Sequence, residues 1–365
     1  MKFVFVIILL LHGVIHLLGF IKGFGIKEVK ELTLPVSQPA GIVWLITSIL
    51  FLNYGLLFAV NYKYNWIIGI SAVILSQCMI VLFWKDARFG TLPNMLILLI
   101  SITSMNYYLF EKKVHEETQH LLNQNKNIHD SLIDENRIQN LPASVQHWLR
   151  NAGVVGRPYI SFGIVSQKAE MKLKPNQKNW MEATAIQYTT IEKPAFIWTV
   201  AVKMNPLLRF QGRDKFENGR GEMLIKLNAL FNIVNDQGPK LDEGSLQRFL
   251  GEMVWFPSMA LSPYIKWEPL GENTAKATMT FQETVGSGIF YFNPNGEVTK
   301  FTALRYKGND PRSKKHEWMM NITDYKTFDG IKVPSKMTSS WKLEEGDWTW
   351  LKLEVTDIKY NNARN

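Results

Sequence analysis

Hydrophobic positions divide the chain into two parts with different patterns. Within the first 110 residues, four apolar stretches are each about 20 residues long, the length that spans a bilayer as a helix. They cover residues 3–21, 41–60, 66–84 and 92–110. Trp44, Trp66 and Trp84 stand near the ends of these stretches, as in an aromatic belt at a membrane surface. The pattern predicts a four-helix transmembrane domain over residues 1–110.

The stretch after the last apolar segment is polar. Leu121, Leu122 and Leu132 recur in it at roughly helical intervals, which predicts a helical linker over residues 111–140. A short amphipathic helix over residues 141–152 follows, and Gly153 is placed to end it. The linker therefore separates the membrane part from a soluble domain predicted over residues 141–365.

From about residue 159 onward, apolar and polar residues alternate with a period of two. The alternation is clear over residues 274–281, 317–323 and 351–356, and it is typical of half-buried antiparallel strands. Asn295-Gly296 and Asp329-Gly330 are turn signals between strands. About ten strands are expected, too many for a flat open sheet. The soluble part is therefore predicted to be an α+β domain with a strongly curved antiparallel sheet, a half-barrel.

One amphipathic helix interrupts the strands. Asp242 or Ser245 is placed to cap its start, and it ends near Trp255. On the concave face of a half-barrel, such a helix either encloses an apolar cavity suited to a lipid-like ligand or simply fills the core. The first alternative makes Arg248 a head-group contact, and the second leaves Arg248 and Glu252 as a surface ion pair. Six residues are candidate ligand contacts: Trp198, Arg248, Phe249, Glu252, Met253 and Trp255.

The charge and the cysteine content of the chain exclude several classes of function. The 365 residues carry a net charge of +9, but no run of Lys and Arg is dense enough for nucleic acid. A mildly basic surface suits anionic lipid, so the lipid bilayer is the expected partner. Cys78 is the single cysteine, which excludes an intrachain disulfide and a cysteine metal site. The soluble part shows no catalytic motif, which favours a non-enzymatic role without cofactor or metal.

Ionisable and amide side chains lie inside the predicted spans. His12 and His16 are four residues apart and share one face of the first helix, while Asn53 and Gln77 lie in the second and third spans. Such groups either hydrogen-bond between helices or mark a functional site. Two interpretations stay open, a helix contact and a proton-handling pair in a quinone- or redox-linked protein. Haem ligation is excluded, because two ligands on one helix face cannot approach opposite sides of one iron.

Several motifs resemble an uncharacterised bacterial family that joins a four-span membrane bundle to a β-rich soluble domain. In the membrane part they are His12 to Phe20, residues 39–44 and the turn 84–91; in the soluble part they are residues 194–198, 248–257 and 330–341. The bundle is similar to DoxX-like membrane proteins, some of which are linked to thiol or quinone redox chemistry, but Cys78 has no second cysteine to pair with. The soluble domain is similar to lipoprotein-carrier (LolA-like) half-barrels, which hold acyl chains in a concave sheet. The resemblance implies no known activity and carries over no ligand residue.

These features predict a multi-pass protein of the cell membrane in a bacterial envelope. The expected function is a membrane-anchored, non-enzymatic binding protein for a lipid or other apolar ligand. Two alternatives stay open: an intramembrane quinone- or redox-linked protein using His12 and His16, and an envelope scaffold that binds another protein. Positive charge is nearly equal on the two sets of loops and does not fix the side of the soluble domain. An extracytoplasmic side is the expectation, because it suits lipid handling.

Overall fold

The computed structural model describes residues 2–124, 131–205 and 208–361. The chain folds as two units. The first holds the residues up to Lys113, and the second holds nearly all of the chain from Val114 onward. Residues 125–130 of the predicted linker lie outside the described residues.

The first unit is helical. Its helices are α1 (Lys2–Gly23), α2 (Gln38–Ala59), α3 (Asn65–Leu82), the short α4 (Trp84–Ala87) and α5 (Thr91–Asn123). Four helical segments are long and apolar enough to cross a membrane, and they coincide with the four apolar stretches of the sequence. The helix α5 is continuous over 33 residues, so the first part of the polar linker extends the fourth apolar helix.

A glycine allows α1 and α2 to pack closely. A Cβ atom at Gly19 would overlap the indole ring of Trp44, whose side chain is almost completely buried. The same indole lies against His16, with ring centres 5.0 Å apart. The small residue therefore lets α2 cover one side of the histidine that the sequence places on α1.

In its described residues, the second unit combines the end of α5 and three further α-helices with one sheet. The helices are α6 (Glu135–Ile138), α7 (Ala143–Ala152) and α8 (Pro239–Gly251). As expected, α7 ends at Gly153, whose φ of 75° is in the left-handed region that favours glycine. The strands are β1 (Phe162–Met171), β2 (Met181–Thr190), β3 (Ala195–Lys203), β4 (Arg209–Glu217), β5 (Arg220–Leu227), β6 (Phe231–Gln237), β7 (Ile265–Gly271), β8 (Thr274–Phe281), β9 (Thr284–Phe292), β10 (Val298–Tyr306), β11 (Lys315–Phe328), β12 (Ile331–Leu343) and β13 (Gly346–Tyr360).

The strands form a single antiparallel sheet in the order β6-β5-β4-β3-β2-β1-β13-β12-β11-β10-β9-β8-β7. Strands β1 to β6 and strands β7 to β13 form two meanders, in which each strand pairs with the next. The pairing of β1 with β13 joins the meanders. The prediction of about ten strands was too low, because the described chain has 13 in this sheet. The edges are β6 and β7, and α8 is the segment that connects them.

The sheet curves strongly, as predicted, without closing into a barrel. Phe216 on β4 and Phe281 on β8 lie nine strand spacings apart in the sheet order, which is roughly 43 Å in a flat sheet. Their ring centres are nevertheless 6.4 Å apart. Near the same place, the Thr284 hydroxyl donates a hydrogen bond of 2.7 Å to the Gly219 carbonyl. The two halves of the sheet therefore face each other across a concave interior.

Helix α8 lies within this curve and contacts both halves. The Phe249 ring stacks 6.5 Å from the ring of Phe196 on β3, and Gln247 donates a 2.9 Å hydrogen bond to the Leu304 carbonyl on β10. The predicted caps were wrong, because the helix begins at Pro239 with Gly238 at the N-cap position. Asp242 instead accepts a 2.7 Å hydrogen bond from the Gly221 amide. After Gly251 the chain continues as a 3₁₀ turn, Glu252–Trp255.

Candidate functional site

A cavity of about 180 Å³ lies between α8 and the inner face of the sheet. Side chains alternate between the two faces of a strand. The alternation of apolar and polar residues that predicted the strands therefore also places apolar side chains along one face of the sheet, where they form a wall of the cavity. This wall consists of Trp318 and Met320 on β11, Met337 and Trp341 on β12, and Leu351 and Leu353 on β13. Residues of α8 and of the following 3₁₀ turn form the facing wall, among them Gly244, Arg248 and Trp255. The cavity thus has an aromatic and thioether lining.

Hydrogen bonds hold several of the cavity tryptophans by their indole nitrogens. Trp198 donates to Gln167 Oε1 at 2.9 Å, and Trp255 donates to the Pro334 carbonyl at 3.1 Å. Trp318 donates to the Ser339 hydroxyl at 2.7 Å. Each of these bonds satisfies the polar edge of a buried indole. The apolar ring faces are therefore left to line the cavity in fixed positions.

A buried ion cluster surrounds Arg248. Its guanidinium donates to Asp214 at 2.5 Å and to Glu252 at 2.7 Å, and Gln187 links Arg248 to Glu252 through hydrogen bonds of 3.1 Å and 2.8 Å. The three charged side chains are 14%, 9% and 11% exposed. Arg248 and Glu252 are therefore not a surface pair. Although burial lowers the pKa of Arg248, the two carboxylates raise it above its usual value.

Arg305 on β10 is a second arginine of the cavity, in a different electrostatic situation. Its guanidinium carbon lies 4.3 Å from the ring centre of Trp318 and 5.8 Å from that of Trp341. Its Nε is buried without a hydrogen-bond partner. Burial, reinforced by repulsion from Arg248, lowers the pKa of Arg305 to about 10. At neutral pH the side chain is still a cation, held against the rings of Trp318 and Trp341.

A separate polar cluster lies inside the first unit. His12 Nε2 donates to Asn94 Oδ1 at 3.0 Å, and Asn94 donates to the Ser76 hydroxyl at 2.9 Å and to Gln77 Oε1 at 3.1 Å. Ser76 and His16 Nε2 are 2.9 Å apart. The cluster therefore connects α1, α3 and α5 through side chains that are mostly buried.

The hydrogen bonds of this cluster fix the roles of both imidazoles. His16 Nδ1 lies 2.8 Å from the His12 carbonyl, which only accepts, so Nδ1 carries the proton. Nε2 of the same ring then accepts from Ser76. The donors of His12, His16, Ser76 and Asn94 named here are all used within the cluster. These bonds connect helices, as the interpretation of a helix contact requires, and the interpretation of a proton-handling pair stays a prediction.

The cluster includes two residues that sequence reasoning missed. Asn94 follows Pro93 at the start of the fourth apolar stretch. The sequence therefore predicts that Asn94 lies at the membrane interface. Ser76 precedes Gln77 and carries no charge to draw attention to it. Asn53, in contrast, is exposed on the surface of α2, and Cys78 is exposed as well. Ionisable and amide side chains well inside an apolar stretch were the signal that found His12, His16 and Gln77; Asn94 lies too close to the end of its stretch to give that signal, and a serine hydroxyl such as that of Ser76 does not give it.

We expect Asn94→Leu to destabilise the first unit by about 1–2 kcal/mol, because it removes interhelical hydrogen bonds to three side chains at similar volume. Unfolding of the full chain in mixed micelles by increasing SDS measures the effect. Asn53→Leu is the matched control, since the Asn53 side chain is exposed, and it should leave the transition unchanged. Equal effects of both substitutions would contradict the structural role of Asn94.

The family of the chain is shown by residues 131–353, which match the sequence model of DUF6544, a family of unknown function. The chain belongs to this family. The matched range contains every residue that lines the cavity, from Trp198 to Leu353, whereas the four apolar helices lie before it. The expectation of an uncharacterised family is thus confirmed for the second unit. No curated protein sequence matches the chain.

A solved structure gives a weaker likeness. A LolA superfamily protein from Nitrosomonas europaea is similar over 60% of this chain and 94% of its own, with 10% sequence identity and a TM-score of 0.34. A similarity at this level does not assign a ligand or a mechanism to this chain. The chemistry of the cavity therefore has to be argued from its own residues.

The structure brings four of the six candidate ligand residues to the cavity. Trp198, Arg248, Glu252 and Trp255 line it. Phe249 and Met253 are on the same helical segment but are buried in the hydrophobic core. Residues on β10 to β13, including Arg305 and Trp318, form much of the rest of the lining. Their strands were recognised in the sequence, but the face of each strand that meets α8 depends on the curvature of the sheet.

Proposed function

We propose that the chain is a membrane-anchored binding protein for a lipid or other apolar ligand, which the second unit holds in the cavity between α8 and the sheet. The observation that carries this proposal is the composition of the lining, which includes five tryptophans and three methionines. Covering apolar surface with hydrocarbon contributes about 25 cal/mol per Å². Methionine side chains adapt to irregular shapes, which suits a flexible alkyl chain.

The four apolar helical segments support the anchoring part of the proposal. A ligand with a long alkyl chain has its main reservoir in the bilayer, so attachment to the membrane keeps a binding unit close to its source. On this proposal the second unit lies on the extracytoplasmic side of the cell membrane. Protease access to the second unit in intact cells, compared with opened cells, tests that side directly.

Binding of a neutral long-chain probe tests the proposed function. The full chain, purified in detergent, is incubated with hexadecanol and analysed by native mass spectrometry. We expect one bound hexadecanol, and we expect Met337→Trp to reduce binding at least about tenfold, because an indole has to occupy cavity space. Met204→Trp is the matched control, since Met204 is 38% exposed and does not line the cavity. A chain that takes up none of hexadecanol, palmitate and hexadecyl phosphate contradicts the proposal.

A further inference from the structure

The cavity contains a guanidinium that has no partner. Among the described residues, the Arg305 side chain has no ion-pair or hydrogen-bond partner; its Nε is buried, while the residue as a whole is half-buried. The guanidinium contacts that it does have are the rings of Trp318 and Trp341, which lie against it and accept no conventional hydrogen bond. A buried charge is normally paired and hydrogen-bonded. The side chain therefore has donors that are free for an acceptor from outside the protein.

The surroundings keep the guanidinium at the cavity. Gly244 of α8 lies opposite, and a Cβ atom there would come within 3.3 Å of Arg305 Nη2. The absence of a side chain at Gly244 leaves space for the guanidinium against the helix. Trp350, which also lines the cavity, has a buried Nε1 without a hydrogen-bond partner. Two unpaired donors, one of them charged, thus belong to the same cavity.

The charge of the lining leads to the same conclusion. Its four cations are Lys240, Arg248, Arg305 and Lys307, and its three anions are Asp214, Asp236 and Glu252. The difference, 4 − 3, leaves one positive charge in excess. Arg248 already contacts Asp214 and Glu252 directly, and Arg305 contacts neither. An anionic ligand, whether a carboxylate with one negative charge or a phosphate monoester with between one and two, therefore offsets the positive excess of the lining and reaches the unpaired donors at the same time.

We propose that Arg305 binds the anionic head group of the cavity ligand, which makes the ligand class a long alkyl chain ending in one carboxylate or phosphate. This inference rests on the proposed function, since it adds a head-group site to the apolar cavity. Arginine suits this role because its planar fork of N–H donors matches an oxyanion while its faces stack on aromatic rings. The part of the alkyl chain next to the head group then lies along the tryptophan and methionine wall, because a cavity of about 180 Å³ encloses only part of a long chain.

Three probes of equal chain length and two variants test the inference. Palmitate, hexadecyl phosphate and hexadecanol are titrated against the full chain in detergent, with native mass spectrometry as the readout. Arg305→Met removes the charge and keeps an unbranched stem, whereas Arg305→Lys keeps the charge without the fork. We expect Arg305→Met to weaken the binding of one or both anions by about ten- to a hundredfold, which corresponds to the typical free energy of a charged hydrogen bond. Arg305→Lys should lose less, and hexadecanol should bind equally to all three proteins.

The relative affinities of the anions distinguish a carboxylate ligand from a phosphate ligand. The inference is overturned if hexadecanol binds the parent chain as tightly as both anions, or if Arg305→Met leaves the anion affinities unchanged. In either case the proposed function survives, because the neutral chain still binds. Ligand-free Arg305→Met should unfold at the same temperature as the parent or higher, since it removes a half-buried charge that has no ion-pair partner. A lower unfolding temperature would identify Arg305 as a structural partner and overturn the head-group role.

Discussion

Arg248→Met is expected to lower the free energy of unfolding of the second unit by about 3–5 kcal/mol, the usual consequence of removing one partner from a buried ion pair. The loss is large because Asp214 and Glu252 would both remain buried without their cation. Their side chains are only 9% and 11% exposed, so water cannot replace the guanidinium. Methionine keeps an unbranched apolar side chain at this position, while the contacts of the guanidinium carbon with the rings of Phe196 and Trp198, at 4.9 Å and 4.7 Å, are lost together with the charge. The effect therefore reports the charge rather than the volume.

Denaturant unfolding of the full chain in detergent, followed by tryptophan fluorescence, measures this change. Lys266→Met is the control, because Lys266 and Glu268 form an ion pair with side chains that are 77% and 41% exposed, and such a pair contributes little. A further variant replaces all three members of the cluster, with Asp214→Asn and Glu252→Gln added to Arg248→Met. It should recover part of the lost stability, because no charge of the Arg248 cluster is left uncompensated. An Arg248→Met protein as stable as the control would show that the cluster is hydrated.

The contrast between the two arginines also explains why they have different expected roles. Both lie at the cavity, but Arg248 has two carboxylates in direct contact and Arg305 has none among the described residues. Substitution of Arg248 leaves anions unpaired, whereas substitution of Arg305 removes a charge that was itself unpaired. The same change, Arg to Met, should therefore destabilise the unit at one position and leave it stable at the other. Ligand affinity should respond mainly at Arg305.

Local patterns were sufficient to predict the parts of the fold in which neighbours in sequence are neighbours in space. Hairpins pair consecutive strands, so alternation and turn signals predicted an antiparallel sheet. The pairing of β1 with β13 places Val165 opposite Ile358, and no local pattern connects such distant segments. Strand β6 was difficult for another reason, since Phe231 and Ile233 are exposed and its residues do not alternate between buried and exposed.

The contacts around the cavity were likewise predictable from the sequence only where the residues are close together in the chain. Arg248 and Glu252 are four residues apart, so their contact follows from helical spacing. Asp214 on β4 and Arg305 on β10 reach the cavity only because the sheet curls around α8, and curvature depends on the packing of the whole unit. In the first unit, His12 and His16 were identified by their charge in an apolar stretch. Their partner Asn94 depends on how α5 packs against α1 and α3.

Phe249→Ala is expected to lower the free energy of unfolding by about 3–5 kcal/mol, the range for truncating a buried phenylalanine. The sequence assigned Phe249 to the wall of the ligand cavity. In the structure its ring instead packs against the rings of both Phe196 and Phe216, with ring centres 6.5 Å and 6.2 Å away, and it is 2% exposed. Alanine would leave a void in this aromatic stack that the rigid sheet cannot fill.

Ligand binding shows whether the Phe249 ring belongs to the hydrophobic core or to the wall of the cavity. Because its ring does not line the cavity, the folded fraction of Phe249→Ala should bind palmitate with an affinity close to that of the parent. Phe231→Ala serves as the control for stability, since Phe231 is 64% exposed and its truncation leaves no internal void. If Phe249→Ala instead lost palmitate affinity while its unfolding transition stayed in place, the ring would belong to the binding surface. Stability and affinity measured on the same variant therefore separate the packed face of α8 from the face that meets the ligand.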